Sequence, residues 1–109
     1  MHRMERVNSE VMKALLQIVQ NMNDKRIAGK LISFSYVNTA PDLKSARVGV
    51  YGGKENSELV KALNSCKGFI RRELASKMNI KSTPDLTFVL DETEAKADRI
   101  EELLKQIRN

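Results

Sequence analysis

Three cations, Lys67, Arg71 and Arg72, flank a glycine, Gly68, inside a run whose apolar residues recur at helical spacing. Cations beside a position that lacks a side chain can meet an anion whose backbone comes close, so the chemistry on offer is contact with phosphate. Lys61, Lys77 and Lys81 extend the group. Residues 61–81 hold six basic residues against Glu73 alone, a formal +5 that equals the net charge of the whole chain. Residues 91–109, with four basic and six acidic groups, come out at −2. A basic segment in an otherwise balanced domain fits an anionic partner; a solvated helix face rich in Lys and Arg is the other reading of the same count.

Catalytic chemistry has far less to work with. The single imidazole, His2, lies in a terminus prone to fraying, and no Ser–His or Cys–His pairing is credible. Cys66, the only cysteine, can form no internal disulfide, and with one histidine for company it cannot anchor a four-ligand zinc site. It falls on an apolar helical stripe and reads as a small buried hydrophobe. Neither G-x-x-x-x-G-K nor a G-x-G-x-x-G after a strand is present. The adjacent carboxylates Asp91 and Glu92, or Glu101 and Glu102, do not face each other on a helix. No enzyme, cofactor, metal or small-molecule substrate is expected. Phe34, Phe69 and Phe88 fall on positions that look buried, so stacking platforms for bases are scarce and binding should work through phosphates and RNA shape.

At 109 residues the chain is one domain's worth, with 41% hydrophobic and 30% charged residues. No window approaches the roughly 18 apolar residues of a membrane span, and Met1 to Arg6 lacks the apolar run of a signal peptide, so a cytoplasmic protein is expected. Val7, Val11, Leu15, Ile18 and Met22 recur at steps of three and four and predict a helix from about Glu5 to Gln20, stopping at the Asn21–Asp24 cluster. From Leu31 to Val37 the period changes to two, with Ile32, Phe34 and Tyr36 on one side and Ser33 and Ser35 on the other. Ala46, Val48 and Val50 then alternate with Arg47, Gly49 and Tyr51, and the Ala40–Pro41–Asp42 turn makes an antiparallel hairpin the natural pairing.

Helical spacing returns at Leu59, Leu63, Cys66, Ile70, Leu74 and Met78. Periodicity leaves open whether this is one helix bent at Gly68 or two joined there. Leu86–Leu90 reads as a third strand after Pro84, and Asp91 with Glu94 has capping-box spacing ahead of Ala97, Ile100, Leu104 and Ile107, a final amphipathic helix. The fold class that accounts for this order is a single α+β domain, residues 1–109, with helices on one face of a three-stranded sheet.

The same residues resemble the bacterial ribosome-binding factor A family. The resemblance is spread along nearly the whole chain: Arg6-Val7; Asp24-Lys25-Arg26-Ile27; Pro41-Asp42-Leu43-Lys44-Ser45-Ala46-Arg47-Val48; Lys67-Gly68-Phe69-Ile70-Arg71; Pro84-Asp85-Leu86-Thr87-Phe88; and Arg99-Ile100-Glu101-Glu102-Leu103-Leu104. It implies a type II K-homology-like fold in which an Ala-x-Gly kink replaces the G-x-x-G loop, two helices meeting at Cys66-Lys67-Gly68 with Cys in place of Ala. It also implies binding to free small (30S) ribosomal subunits and their 16S ribosomal RNA, support of 5′-end processing, and a role in growth at low temperature.

The residues read as RNA contacts are Lys67, Gly68, Arg71, Arg72, Lys77 and Lys81, with Lys44 and Arg47 on the hairpin as further candidates; Lys77 and Lys81 also read as a solvated helix end, and Lys44 as a solvated turn residue. The chain is expected to act as a monomer, without a membrane. A generic K-homology module for single-stranded RNA, or a protein-interaction module using the C-terminal helix, are the competing readings.

Overall fold

The computed structural model describes residues 2–78, 82–93 and 104. Helix α1 (His2–Gln20) starts three residues earlier than its apolar stripe requires. It buries Val11, Ala14, Leu15, Ile18 and Val19 along one face. Strands β1 (Phe34–Thr39) and β2 (Ser45–Tyr51) pair antiparallel, as the turn residues predict. Within that turn the Leu43 N–H donates to the Ala40 carbonyl, and the Asp42 carboxylate accepts from the Lys44 N–H at 2.9 Å. After a short 3-10 turn come α2 (Ser57–Ser65) and α3 (Lys67–Lys77), then β3 (Asp85–Asp91). β3 returns parallel to β2, so the sheet order is β1-β2-β3 and the helix pair is the crossover.

All these elements contribute to one core. Phe34 and Val37 from β1, Ala46, Val48 and Val50 from β2, and Leu86 and Phe88 from β3 face the helices. The rings of Phe34 and Phe88 meet across β2 with centroids 6.0 Å apart. Tyr36 departs from the expected alternation. A bulge between Phe34 and Tyr36 shifts the register by one residue, so Val37 and Thr39 turn inward and Tyr36 moves to the opposite face. There its ring lies over Gly49; a Cβ at that position would run into the Tyr36 ring and the Ser35 hydroxyl. Glycine in this central strand makes room for that aromatic cover.

Asparagines that helices carry bond to backbone groups on both edge strands of the sheet. Asn8 of α1 accepts from the Thr39 N–H of β1 at 3.0 Å. Asn64 of α2 makes two bonds to β3: its Nδ2 donates to the Phe88 carbonyl at 2.8 Å, and its Oδ1 accepts from the Phe88 N–H at 2.9 Å. An amide side chain thus stands where a fourth strand would pair, satisfying backbone groups that would be costly to leave alone.

The expected C-terminal helix, with Ala97, Ile100 and Ile107, and the Glu94 half of its capping box lie outside the described residues; Leu104 is helical and 49% exposed. Asp91 is the last residue of β3, and its carboxylate accepts from the Thr93 N–H and hydroxyl at 3.1 and 2.7 Å. Asn64→Ala removes both amide bonds and exposes the Phe88 backbone, so stability should fall by roughly 2 kcal/mol in urea unfolding. A loss below about 0.5 kcal/mol would mean that the clamp is dispensable.

Candidate nucleic-acid interface

The helix pair is interrupted at Cys66, two residues before the glycine. Asn64 and Ser65 are poor helix formers because their side chains bond to nearby backbone, and here Ser65 does so: its hydroxyl donates to the Ala62 carbonyl at 2.7 Å, a pattern that bends helices. Cys66 leaves helical geometry (φ −104°, ψ 10°), its N–H shared between the carbonyls of Ala62 and Leu63. A new helix then starts, with the Ile70 N–H donating to the Cys66 carbonyl. The break is therefore a kink between two helices, and Gly68 is an ordinary helical residue in the first turn of α3. A Cβ on Gly68 would meet no atom within 4 Å. Neither backbone nor packing calls for glycine there, and its effect is to leave the outer surface of the kink open.

Helical geometry at 100° per residue sorts the side chains of α3. Ile70 and Leu74 point into the core. Gly68 and Arg72, four apart, point directly outward. Lys67 and Arg71 flank them on the side of β3, and Phe69, Glu73 and Lys77 on the side of α1. Lys67, Arg72 and Lys77 are exposed. Arg71 is also half-exposed, yet its guanidinium is occupied: Nε and Nη2 donate to the Thr83 carbonyl at 3.1 and 2.8 Å, and Nε lies 3.2 Å from the Asp85 carboxylate. In the free protein Arg71 ties α3 to the start of β3. The Asp85 N–H in turn donates to the Lys44 carbonyl, which brings the exposed Lys44 to the same end of the sheet. Arg47 faces outward from β2, on the sheet face opposite the core, and so stands apart from the kink. Lys81 lies outside the described residues.

Two sequence expectations are corrected. Phe69 is not buried: 43% of its surface is exposed, because it lies 100° round the helix from Ile70, off the buried stripe. Cys66 is half-buried, packed against the core on one side and in contact with polar groups on the other. Its thiol donates to Asp24 Oδ2 at 3.5 Å, and Arg26 Nη2 lies 3.7 Å from its sulfur.

Arg26 is the site residue that charge counting missed. Asp24 turns the chain after α1 by accepting from the Arg26 N–H at 2.9 Å, and the same carboxylate takes the Arg26 fork at 3.0 and 2.7 Å. This places a further cation against the kink from 40 residues away. The available signal was an Asp two residues before an Arg directly after a helix, a pattern of Asx turns.

The hydrogen bonds from the Arg26 side chain, then from its backbone N–H, hold the Asp24 carboxyl well below the usual carboxylate range, with the Cys66 thiol adding a smaller effect and partial burial opposing them. A depressed carboxyl contributes stability that is complete above its unfolded value, near 3.8, and is lost as pH falls through the folded one. Asp24→Asn should therefore destabilise the protein at pH 7, and its deficit relative to wild type should shrink as pH drops from about 5 towards 2. Asp91, lowered by hydrogen bonds from Ser35 and then Thr93, keeps part of the acid sensitivity in that variant. Urea midpoints across this range check the sign; a deficit independent of pH would contradict it.

Among the described residues no cluster of His, Cys, Asp or Glu could hold a metal ion, and no helix is long and apolar enough to cross a membrane. The sequence model described as Ribosome-binding factor A matches residues 3–104. A ribosome-binding factor A from Caldicellulosiruptor bescii is 36% identical over 96% of this chain and 83% of its own length. The crystal structure of ribosome-binding factor A from Thermus thermophilus superposes with a TM-score of 0.72, at 21% identity, over 80% of this chain and 93% of that one. Coordinates of the Thermus thermophilus factor fitted into an electron cryo-microscopy map of a 30S complex give a TM-score of 0.60 at 20% identity, covering 78% and 91%. With its α+β, K-homology-like arrangement of helices kinked at Cys66 over a three-stranded sheet, this chain belongs to the ribosome-binding factor A family.

Proposed function

We propose that this protein is an assembly factor of the small ribosomal subunit. It binds free 30S particles and docks the outer surface of its kinked helix pair on 16S ribosomal RNA. The observation that carries this reading is the coincidence of the +5 segment with an open kink: Lys67, Arg72 and Lys77 stand exposed around a glycine that nothing in the fold requires. The fitted 30S complex of the Thermus thermophilus factor supports the choice of partner. The protein acts in the cytoplasm as a single-domain monomer, by binding and not by catalysis, and its engagement supports 5′-end maturation of the RNA and growth in the cold. Lys44 shares the Arg71–Asp85 end of the sheet and serves as an outer phosphate contact; Arg47, on the other face of the sheet, and Lys81 are further candidate contacts. Arg71 reaches RNA only by exchanging its Thr83 and Asp85 contacts, so its first role is to hold α3 in place.

Contacts of this kind make affinity fall steeply with salt, by close to one counterion for each phosphate neutralised. Cosedimentation with purified small subunits, large subunits and whole ribosomes should show association with free small subunits only. Lys67→Glu combined with Arg72→Glu should abolish it at moderate salt, and Arg72→Ala alone should lower the slope of log affinity against log salt by about 1. Binding that ignores salt would overturn the phosphate interface. Tight binding to short unstructured oligonucleotides, with none to subunits, would favour a general single-stranded RNA module.

A further inference from the structure

Leu31 is 98% exposed, although it directly follows a hydrogen-bonded turn. Gly29 takes a left-handed φ of 77°, and the Lys30 N–H donates to the Ile27 carbonyl at 3.2 Å, so the backbone that carries Leu31 is held in place. Beside it opens a groove of about 310 Å3 between the end of α1 and the α1–β1 connection. Its floor is apolar, with Val19 and Ile27 buried and Ile32 half-buried; the exposed Gln20 and Lys30 stand at its rim. A single exposed leucine needs no partner, but this one borders an apolar floor inside a basic connection, where Lys25, Arg26 and Lys30 face Asp24 alone. Arg26 is engaged with Asp24, which leaves Lys25 and Lys30, both exposed.

We infer that this groove is the docking site of the chain's own C-terminal segment, residues 94–109, whose apolar stripe packs on Leu31 and Ile32 and whose acidic flank meets Lys25 and Lys30. Pattern, charge and reach select this occupant. Ala97, Ile100, Leu104 and Ile107 recur at steps of three, four and three, and Leu104 is 49% exposed, so an apolar stripe stands ready to be covered. Glu94, Asp98 and Glu101 recur at steps of four and three, which at 100° per residue puts them on a strip bordering the apolar one. Carboxylates therefore lie to one side of the leucines, as the lysines of the connection require.

Reach follows from the sheet. Tyr51 is in register with Asp91, and its N–H donates to the Ser33 carbonyl, so the chain leaves β3 two strand spacings, about 10 Å, from Ser33. Leu31, two residues further on, adds at most about 7 Å. Residues 92–104 cover about 20 Å as a helix, enough to bring Leu104 to Leu31. A segment on so short a tether acts at an effective concentration in the millimolar range, so weak contacts suffice to close it. The structure shows the open arrangement, with both leucines in solvent. Closure takes place in the free protein and does not depend on the RNA surface proposed above.

The chain contains no tryptophan, so Leu31→Trp places a single reporter on the connection. In the free full-length protein its emission should lie at shorter wavelength than that of tryptophan in water and should resist quenching by acrylamide. Ile100→Asp combined with Leu104→Asp should return it to full solvent exposure. Lys25→Glu with Lys30→Glu should weaken the shielding, and adding Glu94→Lys and Glu101→Lys should restore it. Leu31→Ser, at a position that makes almost no contact in the open arrangement, should lower the melting temperature by about 5 °C in the wild-type background and by far less in the Ile100→Asp, Leu104→Asp one.

A fully quenchable reporter, or a melting temperature that Leu31→Ser leaves unchanged, would overturn the docking. Shielding that persists with both aspartates present would mean that the indole fills the groove by itself, which also overturns it. Shielding that grows with protein concentration, together with a dimer mass in sedimentation, would assign the groove to a second copy instead. Shielding that appears only on adding small subunits would assign it to a ribosomal component, against the inference and with the proposed function intact.

Discussion

The paired hydrogen bonds between Asn64 and the Phe88 backbone hold the arrangement on which everything outward of them depends. They act at the last turn of α2, two residues before the break at Cys66, and they fasten that turn to the exposed edge of β3. A short helix whose end is free can rotate about its own axis at little cost; one whose last turn is fixed to a strand cannot. With α2 fixed, the direction in which α3 leaves the kink is set by local features, the Ser65 back-bond and the Cys66 dihedrals. Arg71 supplies the second anchor by tying α3 to Thr83 and Asp85. The outward face of Gly68, Phe69 and Arg72 is what remains between these two fixed points.

This division of labour explains why one basic segment contains cations with different roles. Arg71 carries the planar fork needed for a carbonyl and a carboxylate together, and it is used to build the site. Among the described residues Lys67, Arg72 and Lys77 bond to nothing comparable and keep their charge available to an anion. Arg26 stands between the two cases. Its bonds to Asp24 close the turn after α1, while its remaining reach places positive charge at the Cys66 side of the kink. The net field of the region is therefore smaller than counting Lys and Arg implies, but better oriented, because Asp24 and Asp85 neutralise the cations that do structural work.

Elements with strong periodicity were legible at once. Val11, Leu15 and Ile18 on α1, Val48 and Val50 on β2, and Leu63, Ile70 and Leu74 across the helix pair all lie where their spacing puts them, since burial of an apolar stripe is decided by the local repeat. Tyr36 broke the rule because a bulge inserts a residue without any mark in the alternation, and Gly49 opposite it, the one trace of that aromatic cover, looked like any strand glycine. Phe69 and Cys66 sit on the boundary between stripe and solvent, where a kink of uncertain position decides the outcome. Periodicity ran straight through Gly68, and the resemblance implied a kink at Cys66-Lys67-Gly68; the hydrogen bonds of Ser65 and Cys66 put the break at the first residue of that motif.

By itself, then, the amino-acid order determined the sequence of elements as far as β3, the apolar core and the concentration of the whole net charge in residues 61–81, because these depend on spacing and composition along the chain. Only the tertiary structure decided which cations are free, that Arg26 joins the kink from a distant connection, and that Phe69 faces a groove. Those outcomes rest on contacts between residues 12 to 42 positions apart, which no local repeat encodes.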